Sequence, residues 1–126
     1  MTLDRAAFQA WLDQYIAAWR SNDPALIGEL FAEDAVYRHR PTDPGVRGRE
    51  AIVADWEPED PAGWEARYDV LAIDGEIHVA SGETRYRGGD GEADQRYANV
   101  FVCRFDADGR CTDFTEWWTL DRASEG

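Results

Sequence analysis

The sequence is poor in the residues that usually announce a chemistry. It holds only two cysteines in 126 residues, Cys103 and Cys111, with no Cys-x-x-Cys spacing, so a disulfide scaffold is not expected. It holds only two histidines, His39 and His78, in neither an HExxH nor a His-x-His arrangement, and no dedicated metal site is expected. Walker, GxGxxG and GxSxG motifs are missing, which leaves nucleotide binding and Ser-triad hydrolysis without support. No cofactor is expected. No apolar run approaches the roughly 18 residues of a membrane-spanning helix. The opening MTLDRAAFQAW lacks the basic and apolar regions of a secretory signal, so a cytoplasmic setting with reduced thiols is expected. Basic residues are scarce too: 13 stand against 26 acidic ones, a net charge of −13. Nucleic acid and anionic membrane would repel such a chain at long range, and neither is expected as a partner. The acidity does not by itself define a cationic substrate, because a solvated acidic surface accounts for it.

Aromatic residues, by contrast, are plentiful. The chain is 44% hydrophobic and 13% aromatic with six tryptophans, which excludes a disordered tail and supplies a core. Its length fits one domain spanning 1–126, given that domains cluster at about 100–150 residues.

The first segment reads as a helix, with Phe8, Trp11, Leu12, Tyr15, Ile16 and Trp19 at three- and four-residue steps and Thr2 or Asp4 as its cap. Asp23 and Pro24 suit the cap and first turn of a second helix, whose apolar face is Leu26, Ile27, Leu30 and Phe31. A short strand is expected from Ala35 to Arg40 and a third helix from about Gly48 to Trp56, with Ile52, Val53 and Trp56 inward. Beyond the Pro-rich loop 57–63, strands are expected at about 64–73, 76–87, 95–105 and 110–120. Helices first and antiparallel strands after them indicate an α+β fold.

Alternation then assigns faces. A hairpin turning over residues 106–109 sets Phe105 opposite Arg110; it then puts Phe101 opposite Phe114, Asn99 opposite Glu116 and Tyr97 opposite Trp118, and these six share one face. Ala98, Val100, Val102, Cys111, Thr115 and Trp117 fall on the other face. Cys103 and Cys111 therefore diverge and cannot bridge. Three helices cover one face, and the second apolar face calls for a homodimer through Val100, Val102 and Trp117. If Arg85 meets Tyr97 and Glu83 meets Asn99, both join Glu116 inside. Tyr37 and His39, two apart, share a face. Within an aromatic basin, Tyr, His, Asn, Glu and Arg describe either a small-molecule pocket or a core staple in which Arg85 pairs Glu116.

Several motifs carry a resemblance. Asn22-Asp23-Pro24, the run Leu30-Phe31-Ala32-Glu33-Asp34-Ala35-Val36-Tyr37, Gly48-Arg49-Glu50-Ala51-Ile52 and the ending Asp108-Gly109-Arg110 through Phe114-Thr115-Glu116-Trp117-Trp118 resemble the SnoaL-like branch of the nuclear transport factor 2-like superfamily. The resemblance implies a cone: a curved, mostly antiparallel sheet wrapped around three helices, enclosing a pocket and dimerising through its outer face. Relatives include ketosteroid isomerase, limonene epoxide hydrolase, scytalone dehydratase and polyketide cyclases. Against the isomerase, Tyr15 matches the oxyanion-hole Tyr, His39 stands where the base Asp would be, and Phe101 replaces the second oxyanion donor. Against the hydrolase, Tyr37 matches the water-holding Tyr, His39 replaces Asn, Glu116 matches the last-strand Asp, and Glu83-Thr84-Arg85 echoes Arg-x-Asp in reverse.

Two readings follow. One is a cofactor-independent acid–base enzyme acting on a small, apolar polyketide- or terpenoid-like molecule. His39 and Glu116 would carry protons, Tyr37 and Tyr15 would bind a substrate oxygen or water, and Arg85 and Asn99 would orient Glu116, with Trp56, Phe101 and Trp118 as apolar walls. The other is a non-catalytic ligand-binding or dimerisation module of the same fold.

Overall fold

The structure is a computed structural model that describes residues 2–58, 60–89 and 91–121. Helix α1 (Arg5–Ser21) starts where the Asp4 carboxylate accepts from the Ala7 N–H and ends at Asn22, whose left-handed backbone closes the last turn on the Ala18 carbonyl. Helix α2 (Pro24–Leu30) has the expected Asp23 cap and Pro24 in its first turn. It is shorter than its apolar pattern suggests. Phe31 is already extended and opens strand β1 (Phe31–Arg38), which therefore starts before the expected Ala35 and ends before His39. A two-residue strand β2 (Val46–Arg47) precedes helix α3 (Arg49–Asp55), and a 3₁₀ turn (Pro61–Gly63) leads into the sheet. The remaining strands, β3 (Trp64–Asp74), β4 (Ile77–Tyr86), β5 (Gln95–Phe105) and β6 (Cys111–Leu120), follow the expected spans closely.

The six strands form one curved sheet in the order β2-β1-β6-β5-β4-β3. Every neighbouring pair is antiparallel except β1 and β6, which run parallel, so the sheet is mixed rather than purely antiparallel. The fold is α+β, with the helices on the concave face. Phe8, Trp11, Leu12 and Tyr15 of α1 are buried there with Ile27, Phe31, Ile52, Phe101 and Phe114. The edge strand β3 is held by α1 rather than left bare. Gln9 donates to the Tyr68 carbonyl and accepts from the Val70 N–H, and Arg5 donates to the Val70 carbonyl. These bonds occupy backbone groups beside the register shift between Val70 and Ala72 and blunt an edge open to further pairing.

Three expectations of register need correction. In the β5–β6 hairpin the partners are Phe101 with Glu116, Asn99 with Trp118 and Tyr97 with Leu120, a slip of two residues. A slip of two preserves which face each side chain occupies. The turn explains it. Asp106 accepts from the Asp108 and Arg110 N–H groups and bonds back to the Arg110 carbonyl, so Phe105 pairs with Cys111 instead of Arg110. The ladder then shifts between Arg104 and Phe105, which turns Cys111 inward. Cys103 and Cys111 are both fully buried free thiols on the core side. They do not diverge. Burial pushes the Cys103 thiol well above its ordinary pKa, and its hydrogen-bonded neighbour Cys111 adds to the effect.

The third correction concerns β4. Arg85 faces Arg96 and Glu83 faces Ala98, one residue away from the expected pairing. A one-residue slip reverses every side chain. Arg85 and Glu83 therefore stand on the outer side, where Arg85 pairs with Asp94 at 3.2 Å. The neighbours Thr84 and Ala80 are buried inward in their place.

Candidate active site

The open end of the cone holds a cavity of about 470 Å³. Each element brings side chains to it at its own period. Helix α1 presents Tyr15 and Trp19, one turn apart; β4 presents Thr84 and Tyr86, β5 Tyr97 and Asn99, and β6 Glu116 and Trp118, each pair two residues apart. Tyr37 comes from β1 and Tyr68 from β3, while the end of α3 supplies Asp55, Trp56 and Glu57 at the rim. All five tyrosines of the chain line this one cavity.

Its floor is aromatic. Phe114 stacks against Tyr37 at 4.4 Å and against Tyr15 at 5.5 Å, while Phe101 packs on Tyr68 at 4.4 Å and on Phe114 at 4.7 Å. Phe101 thus supports the floor from beneath and does not line the cavity. The Tyr15 and Tyr37 hydroxyls are 2.7 Å apart and hydrogen-bonded. Burial, first of all, raises both phenols well above their ordinary pKa, so both remain protonated at neutral pH. One hydroxyl donates to the other, which leaves one proton of the pair for another acceptor.

Glu116 ends a chain of directed hydrogen bonds. Thr84 donates to the Asn99 side-chain oxygen at 3.1 Å, so its single proton is spent and Tyr68 must donate to Thr84. The Asn99 amide nitrogen then donates to Glu116 Oε2 at 2.6 Å. Gly82 makes the chain possible. A Cβ there would lie 1.8 Å from the Arg67 carbonyl oxygen and 2.5 Å from the Tyr68 ring. Glycine lets Tyr68 lie across β4 and reach Thr84. Glu116 Oε1 takes no hydrogen bond among the described residues. Burial raises the Glu116 carboxyl above its ordinary pKa, with the Asn99 bond and the nearby His39 acting in the opposite direction.

His39 lies just beyond β1, its ring 4.8 Å from that of Tyr37. Its Nε2 is 2.6 Å from Asp55 Oδ2. That bond fixes the ring's orientation and leaves Nδ1 as the atom open to a guest. Asp55 is a partner that sequence reasoning missed. The Trp56 indole N–H is buried without an acceptor among the described residues. Those residues contain no cluster of three or more His, Cys, Asp or Glu side chains suited to a metal ion.

Of the residues singled out in the sequence, the cavity brings together His39, Glu116, Tyr37, Tyr15, Trp56, Asn99 and Trp118, with Phe101 below. Arg85 is absent, and the expected Arg85–Glu116 staple does not form. Thr84 and Tyr68 take its place beside Asn99. Strand alternation alone would have found Thr84 had the β4 register been right by one residue.

No helix among the described residues is long and apolar enough to cross a membrane. A search of curated proteins returns no match. Among solved structures, the chain superposes on the epoxide hydrolase/cyclase-like enzyme SalBIII, described for pyran ring formation in the polyether salinomycin, with a TM-score of 0.69 and 15% identity over 87% of this chain and 88% of that one. It is similar also to an NTF-2 like protein of unknown function from Burkholderia xenovorans LB400, with a TM-score of 0.67 and 18% identity over 90% of this chain and 84% of that one. At these identities the likeness shows the fold alone. The family model of the SnoaL-like domain matches residues 12–114, and the chain belongs to that family.

Proposed function

We propose that the chain is a cofactor-independent acid–base enzyme acting on a small, largely apolar molecule of polyketide or terpenoid kind. The observation that carries this reading is Glu116. Its carboxyl is raised in pKa and held through one oxygen by Asn99, while its other oxygen is unengaged in an aromatic-walled cavity that also holds the His39–Asp55 pair. A carboxyl shifted toward neutrality and an imidazole are suited to take a proton at one atom of a substrate and return it at another. In this reading Glu116 and His39 are the proton carriers, and Asn99 and Asp55 are positioning residues. The spare hydroxyl proton of the Tyr15–Tyr37 pair provides a donor for a substrate oxygen. The epoxide hydrolase/cyclase-like description of SalBIII agrees with this chemistry.

The same reading includes a homodimer through the outer face. Trp117 is 55% exposed and lies in register with Val100, beside a depression of about 900 Å³. Light scattering tests this, and a monomer at micromolar concentration contradicts it. The free thiols suit a reducing cytoplasm. For the chemistry, native mass spectrometry of the purified protein identifies the bound molecule or its class. Turnover of that molecule should then fall by about 10²–10⁴-fold in Glu116→Gln with the fold retained. Undiminished turnover in that variant rules out Glu116 as a proton carrier.

A further inference from the structure

We infer that the guest of this cavity carries a positively charged nitrogen, as an amine or quaternary ammonium set beside an apolar body. The inference rests on the reading of the cavity as a small-molecule site and adds a charge to its ligand. The lining is unusually one-sided. Among the described residues, eight of its side chains are aromatic, three are carboxylates (Asp55, Glu57 and Glu116), and its one basic group is His39, already bonded to Asp55. No arginine among the described residues lines it, and the chain contains no lysine at all.

An aromatic ring presents a negative face, and a desolvated cation over such a face is attracted far more than a neutral group of equal size. One lining ring, Trp118, and Trp64 behind the wall already attract cations. Arg40 lies 4.9 Å from the centre of the Trp118 ring, and Arg20 lies 4.2 Å from the centre of Trp64, which in turn stacks on Trp19 at 3.8 Å. Neither guanidinium is part of the lining, so both stand outside the cavity's aromatic interior. Glu116 strengthens the argument. An ionised carboxylate partly withdrawn from water, with one oxygen unengaged, is costly unless a positive charge approaches it. A neutral guest leaves that cost in place, and an anionic guest meets three carboxylates. The net charge of −13 acts in the same sense at longer range by concentrating cations near the protein.

The test uses two probes of one shape. Benzyltrimethylammonium and its uncharged carbon isostere, neopentylbenzene, are titrated into the full chain at one fixed ionic strength. Binding is read from tryptophan fluorescence, which Trp19, Trp56 and Trp118 report from the cavity wall. The cation should bind about tenfold more tightly or better. Glu116→Gln and Asp55→Asn should each shrink the ratio of cation to neutral affinity several-fold. If either variant fails to fold, the wild-type ratio decides. Equal affinities for the two probes overturn the inference while leaving the small-molecule reading intact. Absence of saturable binding by the cation also overturns it. If the neutral probe is silent as well and native mass spectrometry finds no guest, the small-molecule reading falls with it.

Discussion

The two ends of the concave sheet face use the same kinds of residue to opposite effect. At the closed end, His78 is fully buried among Phe8 and Phe105, and both ring nitrogens are engaged by backbone. Nε2 accepts from the Leu3 N–H at 2.9 Å, and Nδ1 donates toward the Glu76 carbonyl at 2.9 Å. At the open end, His39 and Glu116 each have one side-chain partner and one atom to spare. A polar group whose every valence is satisfied by its own chain holds a structure together. A polar group left half-satisfied around a cavity lowers stability in exchange for a place where a guest can bind.

Substitutions that cross this divide should separate the two roles. The largest loss of stability is expected from His78→Leu, which strands the Leu3 N–H in the core. Chemical denaturation should register a cost of about 1–3 kcal/mol, with ligand binding at the open end unchanged once the protein is folded. Thr84→Val comes next. It keeps the volume but breaks the chain from Tyr68 to Asn99, at a cost of about 1 kcal/mol. Because Asn99 then loses the bond that orients it toward Glu116, turnover should fall too, a change that a purely structural threonine would not produce. Arg85→Ala should do least. Its partner Asp94 is an exposed loop carboxylate, so the change should stay within about 0.5 kcal/mol and leave turnover alone. A large effect from Arg85→Ala would revive the discarded staple to Glu116.

The sequence revealed the fold and the open end through periodicity, and it failed where periodicity was interrupted. Phe8, Trp11, Tyr15 and Trp19 marked α1 because a helix repeats its apolar face every three or four residues. Asn99, Glu116 and Trp118 were placed on one face despite a wrong register, because a two-residue slip leaves the alternation intact. Cys111 was misplaced because the ladder shift between Arg104 and Phe105 changes the parity of the strand, and no residue type announces that shift. Arg85 was misplaced because β4 and β5 are joined by a long loop that sets no register, unlike the tight Asp106–Gly109 turn. Asp55 was invisible for another reason. Its meeting with His39 is a tertiary contact between a helix end and a strand end, with no sequence period to betray it.

The thermal stability of Glu116→Gln as a function of pH tests the central contrast most directly. Burial raises the Glu116 carboxyl in the folded state. A carboxyl raised on folding contributes stability that is fully present below its unfolded pKa and lost as pH climbs through the folded value. Glutamine keeps the shape and carries no such dependence. From about pH 4 upward the variant should therefore gain on the wild type until Glu116 is ionised in the folded state, and at neutral pH it should melt at an equal or higher temperature. A variant that melts well below the wild type at neutral pH would show that ionised Glu116 holds the fold together, and would contradict the account.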